Sequence, residues 1–304
     1  MDTSSKPLTH GQIWLLAARP RTLPAAAAPV IIGSAIAYAD GSFRLLPALG
    51  TLAAALLLQI GANFANDVFD YQKGADTPDR LGPVRVTQAG MLKPGTVKAG
   101  MWITFALAAL IGLYLAWISG WPIIAIGMAA ILAALLYTGG PFPYGYRGLG
   151  EFFVFLFFGV AAVMGTYYIQ AVRFSLSAFI GSVPVGLLIV AILVVNNLRD
   201  IHTDRASGKN TLAVRLGAQG ARQEYLLVVL LAYLITFLQA LSGMGSFWLL
   251  LPALTLPLAA ELIVFVYKNE GKALNRALAR TGQLVLYFSL AYSAASILAR
   301  LLPL

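Results

Sequence analysis

The chain has 304 residues, of which 59% are hydrophobic and only 11% are charged. Soluble proteins have about a quarter charged residues, so this composition excludes an ordinary soluble domain and indicates a polytopic helical membrane protein. The net charge of +9 then fits basic cytoplasmic loops better than nucleic-acid binding. The absence of cysteine excludes disulfides, thiolate metal sites and cysteine catalysis.

The first segment, residues 1–21, is predicted to lie along the cytoplasmic membrane surface as a short amphipathic helix. Its apolar stretch from Ile13 to Ala18 runs directly into Arg19 and Arg21, with no site of small residues after a proper apolar core. We therefore expect no cleavable signal peptide here.

Apolar runs predict the membrane-spanning helices, because a bilayer core about 30 Å thick requires roughly 20 apolar residues per helix. Charged or Gly/Pro-rich breaks divide the chain into nine such runs. They cover approximately 22–39, 46–67, 97–118, 121–138, 150–171, 176–199, 222–242, 246–267 and 281–301. Pro252 and Pro257 predict a bend in the eighth run. No linker divides the chain, so we expect one domain over 1–304.

Loop charge predicts the orientation in the membrane. With a cytoplasmic N-terminus, only Arg44, Arg173 and Arg300 of the 21 Lys and Arg residues fall on the opposite side. This asymmetry follows the positive-inside rule. It predicts a multi-pass protein of the bacterial plasma membrane with its N-terminus in the cytoplasm.

The first polar cluster lies at the end of the second predicted helix and in the loop after it. Its members are Asn63, Asn66, Asp67, Asp70, Asp76 and Asp79. The first four are spaced three or four residues apart in pairs, so they share one helix face near the cytoplasmic end. The last two follow in the loop.

The second polar cluster ends the sixth predicted helix. Asn196, Asp200 and Asp204 lie four residues apart in one stripe, with Asn197 beside it. His202 points away from that stripe and is predicted to be a surface histidine. The two clusters contain six of the twelve acidic residues. Such concentration of carboxylates at a membrane boundary usually marks a functional site.

The chemistry of these side chains favours a hard cation. Oxygen ligands, with no cysteine and only two histidines, suit Mg²⁺ or Mn²⁺ and not zinc. We predict that the two clusters face each other and hold Mg²⁺ against a diphosphate. The alternative is that the aspartates solvate helix ends and pair with local arginines. Two related clusters on one side of the membrane favour the metal site.

Basic residues accompany both clusters. Lys73 and Arg80 follow the first, and Arg205 and Lys209 follow the second. Arginine pairs with phosphate through its planar fork, and lysine supplies a point charge. We predict that these cations meet the diphosphate, the alternative being membrane topology alone. Arg21, just before the first helix, is a candidate for binding an acidic substrate or a topology anchor.

The third cytoplasmic connection, residues 137–151, is rich in Gly, Pro and Tyr and is therefore predicted to be irregular. Tyr137, on the helix proper, is predicted to face the cavity, where its ring could stabilise a carbocation. For Tyr144 and Tyr146 the pattern favours an interfacial aromatic belt.

Two glutamates, Glu151 and Glu261, lie outside these clusters. Glu151 begins the fifth predicted helix, where a capping role and a chemical role are equally compatible. Glu261 is an acid within a predicted span and could line the cavity.

At these motifs the chain resembles the UbiA superfamily of intramembrane aromatic prenyltransferases. The family has two Asp-rich motifs on helix ends, which stand here as Asn66-Asp67-Val-Phe-Asp70 and Asp200-Ile-His-Thr-Asp204. Within the superfamily the chain is similar to the 1,4-dihydroxy-2-naphthoate polyprenyltransferases of menaquinone synthesis. This similarity is carried by residues 19–24, 63–83, 143–146, 196–212 and 215–217. Gly74 departs from the wider superfamily, in which many members have another Asp there.

The resemblance implies an all-α bundle of nine transmembrane helices with a cavity that opens on the cytoplasmic side. It implies Mg²⁺ held by Asp67, Asp70, Asp200 and Asp204, with either Asp76 or Asp79 supplying the further carboxylate. Substrate would contact the asparagines of both clusters, Lys73, Arg80, Arg205, Lys209 and Arg21.

The implied reaction is transfer of a polyprenyl group from its diphosphate to 1,4-dihydroxy-2-naphthoate, with release of CO₂ and diphosphate. The first alternative is another aromatic acceptor, such as 4-hydroxybenzoate or homogentisate. The second is a cation-coupled transporter. Acids at cytoplasmic helix ends among phosphate-type cations favour the enzyme, because transporter sites usually lie near the bilayer midplane.

Overall fold

The computed structural model describes residues 8–76, 80–242 and 246–302, and within these ranges the chain contains helices and no strand. The α-helices are α1 His10–Ala18, α2 Leu23–Ala39, α3 Leu45–Gln72, α4 Pro94–Ser119, α5 Pro122–Thr138, α6 Gly150–Val154, α7 Ala162–Ala171, α8 Leu176–Arg199, α9 Ile201–Ala206, α10 Leu212–Leu241, α11 Leu256–Lys268 and α12 Leu274–Leu301. A π-helical segment, Phe155–Ala161, joins α6 to α7, and a 3₁₀ segment, Phe247–Thr255, precedes α11.

Eight helical units of the described chain are long and apolar enough to cross a membrane, and α5 is a shorter apolar ninth. Large side chains on their outer faces are exposed, for example Trp117 at 85% and Trp121 at 75%. This surface suits lipid, since a bundle packed in water would bury such residues. The all-α, multi-pass membrane architecture predicted from sequence is confirmed.

Several predicted spans differ from the structure in their boundaries; the ninth, for example, begins at Leu274 and not at 281. The seventh begins at Leu212, ten residues before the predicted start, because α10 continues through a kink at Gly217 with φ of 74°. Its polar first turns had indicated a loop. The predicted irregularity of the eighth span takes the form of the 3₁₀ turns of Phe247–Thr255, which contain Pro252.

The main hydrophobic core joins α2, α8, α10 and α12 and includes the fully buried Leu188 and Phe288. Glycine allows the π-helical segment to approach α8 closely. A Cβ atom on Gly159 would lie 2.8 Å from the Gly186 Cα atom. Small residues commonly permit such backbone contacts between membrane helices.

The N-terminal segment packs on the bundle through α1. Thr9 and Gln12 form a capping box at the start of α1, and the Trp14 ring lies edge-on to Phe64 of α3 at 5.4 Å between ring centroids. Residues 1–7 lie outside the described part of the chain. The position of this segment at the membrane surface stays a prediction.

Candidate active site

A cavity of about 360 Å³ lies between α2, α3, α5, the α6–α7 unit and α8. Its wall is apolar over most of its length and rich in alanine. Polar residues at helix ends and in the adjoining loops complete the wall: Arg19, Asn66, Asp70, Arg80, Arg85, Tyr137, Tyr146, Asn196, Asn197, Asp200, Asp204 and Lys209. One compartment therefore combines a charged end with an apolar body.

Asp70 of the first cluster contacts the lysine that follows the second cluster and a tyrosine of the third connection. Lys209 Nζ lies 3.5 Å from Asp70 Oδ1, and the Tyr146 hydroxyl donates to the same oxygen at 2.5 Å. Burial raises the pKa of Tyr146, and the Asp70 charge raises it further, so this hydroxyl stays protonated. Asp70, Asp200 and Asp204 all line this cavity, so both clusters contribute to one compartment.

Arg85 connects the helix part of the first cluster with its loop part. Its Nη2 lies 2.6 Å from Asp70 Oδ2, and its Nε lies 3.2 Å from Asp76 Oδ2. Burial by itself would lower the pKa of Arg85, but these carboxylates outweigh it and raise the pKa. Its Nη1 is buried and finds no acceptor among the described residues. The sequence analysis did not select this arginine, because it stands fifteen residues after Asp70.

Asp76 also accepts from Arg80 Nη1 at 2.5 Å, so the loop carboxylate lies between two arginines. Asp79, the alternative to Asp76 in the sequence analysis, lies outside the described residues. The cavity wall includes Arg80 and Arg85, whereas Asp76 is behind them.

Arg199 is a fully buried cation that orients the second cluster. Its Nε lies 2.9 Å from Asp200 Oδ1 and its Nη2 lies 2.5 Å from Asp200 Oδ2, a bidentate pair. The same guanidinium donates to Asn196 and Asn275. A buried arginine with this many acceptors fixes the side chains around it.

Asp204 differs from the other cavity carboxylates because no side chain among the described residues donates a hydrogen bond to it. It lies partly exposed in the cavity wall. Burial raises the pKa of Asp204 to about 7, although Lys209 acts in the opposite direction. This carboxylate is therefore free to take a new ligand.

Besides Asp76, two helix members of the first cluster lie outside the cavity wall, which differs from the predicted substrate contact of Asn63 and the predicted metal contact of Asp67. Asn63 donates to the Ala18 carbonyl and to Thr22 Oγ1, both at 2.9 Å. Asp67 accepts from the backbone N–H groups of Val86 at 3.2 Å and Thr87 at 3.0 Å. Both side chains are turned towards neighbouring segments, because one helix face is shared between the cavity and the loops that cover it.

Three predicted substrate-binding cations lie outside the cavity wall. Arg21 is exposed, while Arg19, two residues earlier, lines the cavity. Lys73 is exposed and donates to the Gly140 carbonyl at 3.2 Å. Arg205 is exposed and donates to the Val214 carbonyl at 3.3 Å. Sequence spacing alone could not show that Arg19, and not Arg21, lines the cavity.

The tyrosines of the third connection correct the sequence interpretation. Tyr144 and Tyr146 belong to the cavity wall with Tyr137, not to an interfacial belt. A 3₁₀ turn, Tyr144–Arg147, folds this connection back over α5, where the Tyr144 hydroxyl donates to the Ala133 carbonyl at 2.8 Å. Burial raises the pKa of Tyr144 above its usual value.

The remaining candidates occupy distinct places. His202 is exposed, as predicted. Glu261 pairs with Arg280 at the surface and does not line the cavity. Glu151 is buried and accepts a hydrogen bond from Asn197 Nδ2 at 2.9 Å. The sequence offered no signal for that last contact, because its partners are 46 residues apart.

The oxygen ligands of the cavity suit a hard cation that is also coordinated by a phosphate group and water. Among the described residues, no group of three or more His, Cys, Asp or Glu side chains is close enough to hold a metal ion alone. Mg²⁺, however, usually binds one or two carboxylates together with phosphates and waters. Asp70, Asp200 and Asp204 line the cavity, and Arg85 has an unpaired buried donor beside them. The residues present therefore suit a metal–diphosphate and not a self-contained metal cluster.

Relatives with assigned names match nearly the whole chain. The 1,4-dihydroxy-2-naphthoate octaprenyltransferase of Escherichia coli (strain K12) is 40% identical over 268 residues, which cover 86% of this chain and 87% of that protein. The protein of the same name from Mycobacterium tuberculosis is 41% identical over 283 residues, 93% of this chain and 96% of that protein. A 2-carboxy-1,4-naphthoquinone phytyltransferase of Synechocystis is 32% identical over 265 residues, 86% of this chain and 84% of that protein.

Solved structures share the fold at low sequence identity. The apo structure of a UbiA homolog from Aeropyrum pernix K1 matches with a TM-score of 0.68 and 16% identity, covering 87% of this chain and 96% of that one. A UbiA homolog from Archaeoglobus fulgidus bound to GPP and Mg²⁺ matches with a TM-score of 0.66 and 14% identity, covering 94% and 99%. The sequence model of the UbiA prenyltransferase family matches residues 26–290. The chain therefore belongs to the UbiA prenyltransferase family.

Proposed function

We propose that this protein transfers a polyprenyl group from polyprenyl diphosphate to 1,4-dihydroxy-2-naphthoate, with release of CO₂ and diphosphate, to give demethylmenaquinol. The observation that carries the proposal is the cavity, in which the two Asp-rich motifs face each other at the charged end of an apolar chamber. The names of the relatives from Escherichia coli and Mycobacterium tuberculosis support this acceptor.

The apolar body of the cavity is the proposed binding site for the prenyl chain. Alanines of α2, α3 and α5, including Ala26, Ala55 and Ala133, leave room along one wall, and Phe157 and Phe158 form part of the other. Isoprene units are hydrocarbon, so they can move from the lipid phase into this apolar chamber without burying any polar group.

The charged end is the proposed diphosphate site. Arg80, Arg85 and Lys209 supply donors there, and Arg85 Nη1 has no acceptor among the described residues. Lys73 and Arg205 would contribute at longer range through their charge. Donors that are already in place stabilise the charge that develops on a leaving diphosphate.

Mg²⁺ is the proposed cofactor, and Mn²⁺ is proposed as a substitute with the same ligand preference. Asp70, Asp200 and Asp204 would hold it from the cavity wall, with Asp67 and Asp76 supporting them from behind. The bound ion would neutralise charge on the diphosphate. Support comes from the fold relative described as bound to GPP and Mg²⁺.

The chain's own residues position the reactants and exclude water. The allylic C–O bond breaks, and diphosphate keeps the electron pair. The carboxyl-bearing ring carbon then forms the new C–C bond, and loss of CO₂ from the carboxylate restores the aromatic ring without a net proton. The rings of Tyr137 and Tyr146 line the cavity where positive charge develops, so they would stabilise the allylic cation. Water kept out of the chamber cannot trap that cation.

We also propose that this integral membrane protein lies in a bacterial plasma membrane with its N-terminus in the cytoplasm. The loop charge asymmetry supports this orientation. The cavity would then receive Mg²⁺ and the aromatic acceptor from the cytoplasm, and the prenyl chain from the lipid phase.

The test uses purified protein in detergent with Mg²⁺, a polyprenyl diphosphate, and either dihydroxynaphthoate or 4-hydroxybenzoate, with products identified by mass. We expect a prenylated, decarboxylated naphthoquinol from the first acceptor only. Asp200→Asn should remove most activity, while His202→Ala, an exposed change two residues away, should retain it. Prenylated hydroxybenzoate would mean that 4-hydroxybenzoate, and not dihydroxynaphthoate, is the aromatic substrate. If folded protein gives no product from either compound, the proposal is overturned.

A further inference from the structure

Three asparagines of the cavity wall each have one amide atom engaged by a neighbour. Asn66 Oδ1 accepts from the Thr138 hydroxyl at 3.0 Å, and Asn196 Oδ1 accepts from Arg199 Nη2 at 2.8 Å. Asn197 is held in the opposite sense, because its Nδ2 donates to Glu151 Oε1 at 2.9 Å. The atom that each amide leaves for the cavity therefore differs.

The engaged atoms set the polarity that the cavity presents to a ligand. Asn66 and Asn196 leave their NH₂ groups free to donate to a ligand in the cavity. These donors suit phosphate oxygens, which accept hydrogen bonds. Asn197 leaves its carbonyl oxygen, which only accepts. A fully ionised diphosphate has no proton to offer this oxygen, whereas a ring hydroxyl does.

Asn197 belongs to a different row of α8 side chains from Asn196. Ile192, Asn196 and Asp200 follow each other at intervals of four residues and form the row that ends in the Asp-rich motif. Leu193 and Asn197 belong to a neighbouring row that is otherwise apolar within the cavity wall. The carbonyl oxygen of Asn197 thus stands at the end of an apolar surface.

Tyr137 completes that surface at Gly150. A Cβ atom on Gly150 would lie 3.2 Å from the Leu193 side chain and 3.6 Å from the Tyr137 ring and hydroxyl, so glycine lets these groups meet. The aromatic ring of Tyr137, the aliphatic side chain of Leu193 and one hydrogen-bond acceptor, the carbonyl oxygen of Asn197, suit a flat hydroxylated ring as ligand. Glu151 follows directly, which brings its carboxylate to Asn197.

We propose that Glu151 is a positioning residue that holds Asn197 so that its carbonyl oxygen accepts a hydrogen bond from a ring hydroxyl of the aromatic acceptor. Glu151 is buried and does not itself line the cavity. A carboxylate accepts hydrogen bonds and does not donate them, so it admits one orientation of the amide. This inference rests on the proposed function, because it assigns the acceptor end of the same site.

Glu151→Gln tests the orientation with little change of shape, since a glutamine amide can face Asn197 with either its donor or its acceptor. We expect the KM for dihydroxynaphthoate to rise by up to about tenfold, the value of one hydrogen bond lost in every molecule, and the KM for the diphosphate to stay unchanged. Glu261→Gln is the matched control, because that surface acid pairs with Arg280 away from the cavity. It should leave both constants unchanged.

A second substitution tests rescue. Asn197→Asp alone places two carboxylates against each other and should weaken acceptor binding. In the double variant Glu151→Gln/Asn197→Asp, the new amide at position 151 donates to one oxygen of the new carboxylate at position 197. The other oxygen of that carboxylate is left to accept from the ring hydroxyl of the aromatic substrate. We expect the KM for the acceptor to return to within about threefold of wild type, as a coupled pair should behave.

The outcomes separate this inference from the proposed function. Wild-type turnover of dihydroxynaphthoate tests the function alone. With an active wild type, an unchanged acceptor KM in Glu151→Gln, an equal rise in both KM values, or a changed Mg²⁺ requirement with no change in acceptor KM would overturn the inference. If only 4-hydroxybenzoate is prenylated, the same comparison applies, since that acceptor also has a ring hydroxyl. A wild type inactive with both acceptors would overturn both proposals.

Discussion

Lys209, which follows the second Asp-rich motif, contacts Asp70 of the first motif, with Nζ 3.5 Å from Oδ1 although 139 positions separate them in the chain. The ammonium group also lies 4.6 Å from the centroid of the Tyr146 ring. Lysine is therefore held between a carboxylate and an aromatic face at the charged end of the cavity. Its position determines where an anionic ligand finds its counter-charge.

Lys209→Gln should raise the KM for polyprenyl diphosphate about 10- to 100-fold, because hydrogen bonds to charged groups contribute about 1.5–3 kcal/mol. The KM for the aromatic acceptor should change much less. Steady-state kinetics with each substrate varied in turn measures both. Lys268→Gln is the control, since Lys268 is exposed at the end of α11. An equal effect at Lys268 would mean that only the overall surface charge matters.

Asp67→Asn should loosen the loop after the first motif. Asp67 uses one oxygen for the Val86 N–H and the other for the Thr87 N–H, whereas an asparagine can accept with only one of its two terminal atoms. Hydrogen–deuterium exchange of these two amides should therefore accelerate, and prenyl transfer should fall. Unchanged exchange with lost activity would indicate instead that Asp67 contacts the metal directly.

Mg²⁺ affinity of the protein saturated with polyprenyl diphosphate, in the absence of the aromatic acceptor, should rise with pH through the range 6 to 8. The pKa of Asp204 is raised to about 7 by burial, so the group is mostly protonated at pH 6 and mostly ionised at pH 8. Metal ligands must be deprotonated, so affinity should fall by about tenfold from pH 8 to pH 6. Calorimetric titration with Mg²⁺ measures this change. Asp204→Asn should bind more weakly and with a flatter pH profile, and an equally steep profile in that variant would assign the proton to another group.

Gly159→Ala should destabilise the bundle by about 1–3 kcal/mol, the usual cost of overpacking. The new Cβ atom would lie 2.8 Å from the Gly186 Cα atom of α8. This contact is with backbone, so no side-chain movement can relieve it. Gly127→Ala is the matched control, because nothing lies within 4 Å of a Cβ atom at that position. Thermal unfolding in detergent compares the two variants. A Tm for Gly159→Ala equal to that of the control would show that the helices separate at little cost.

Periodicity and charge determined the architecture from sequence. A membrane helix must satisfy its own backbone hydrogen bonds, so apolar runs of fixed length indicate spans with little dependence on what packs around them. Asn66, Asp70, Asn196 and Asp200 could be assigned to one site for a related reason, because spacing within a helix fixes which side chains share a face.

Tertiary structure decided which members of each motif reach the cavity. Asp67 and Asp70 lie almost one helical turn apart, yet the first holds a loop and the second meets Lys209. Arg85 enters the site through the path of an irregular loop, and Glu151 enters it through a contact with Asn197. Such placements depend on how segments distant in sequence pack together. The sequence by itself therefore determined the bundle and the kind of chemistry, while packing between loops and helix ends decided which charges face the substrate.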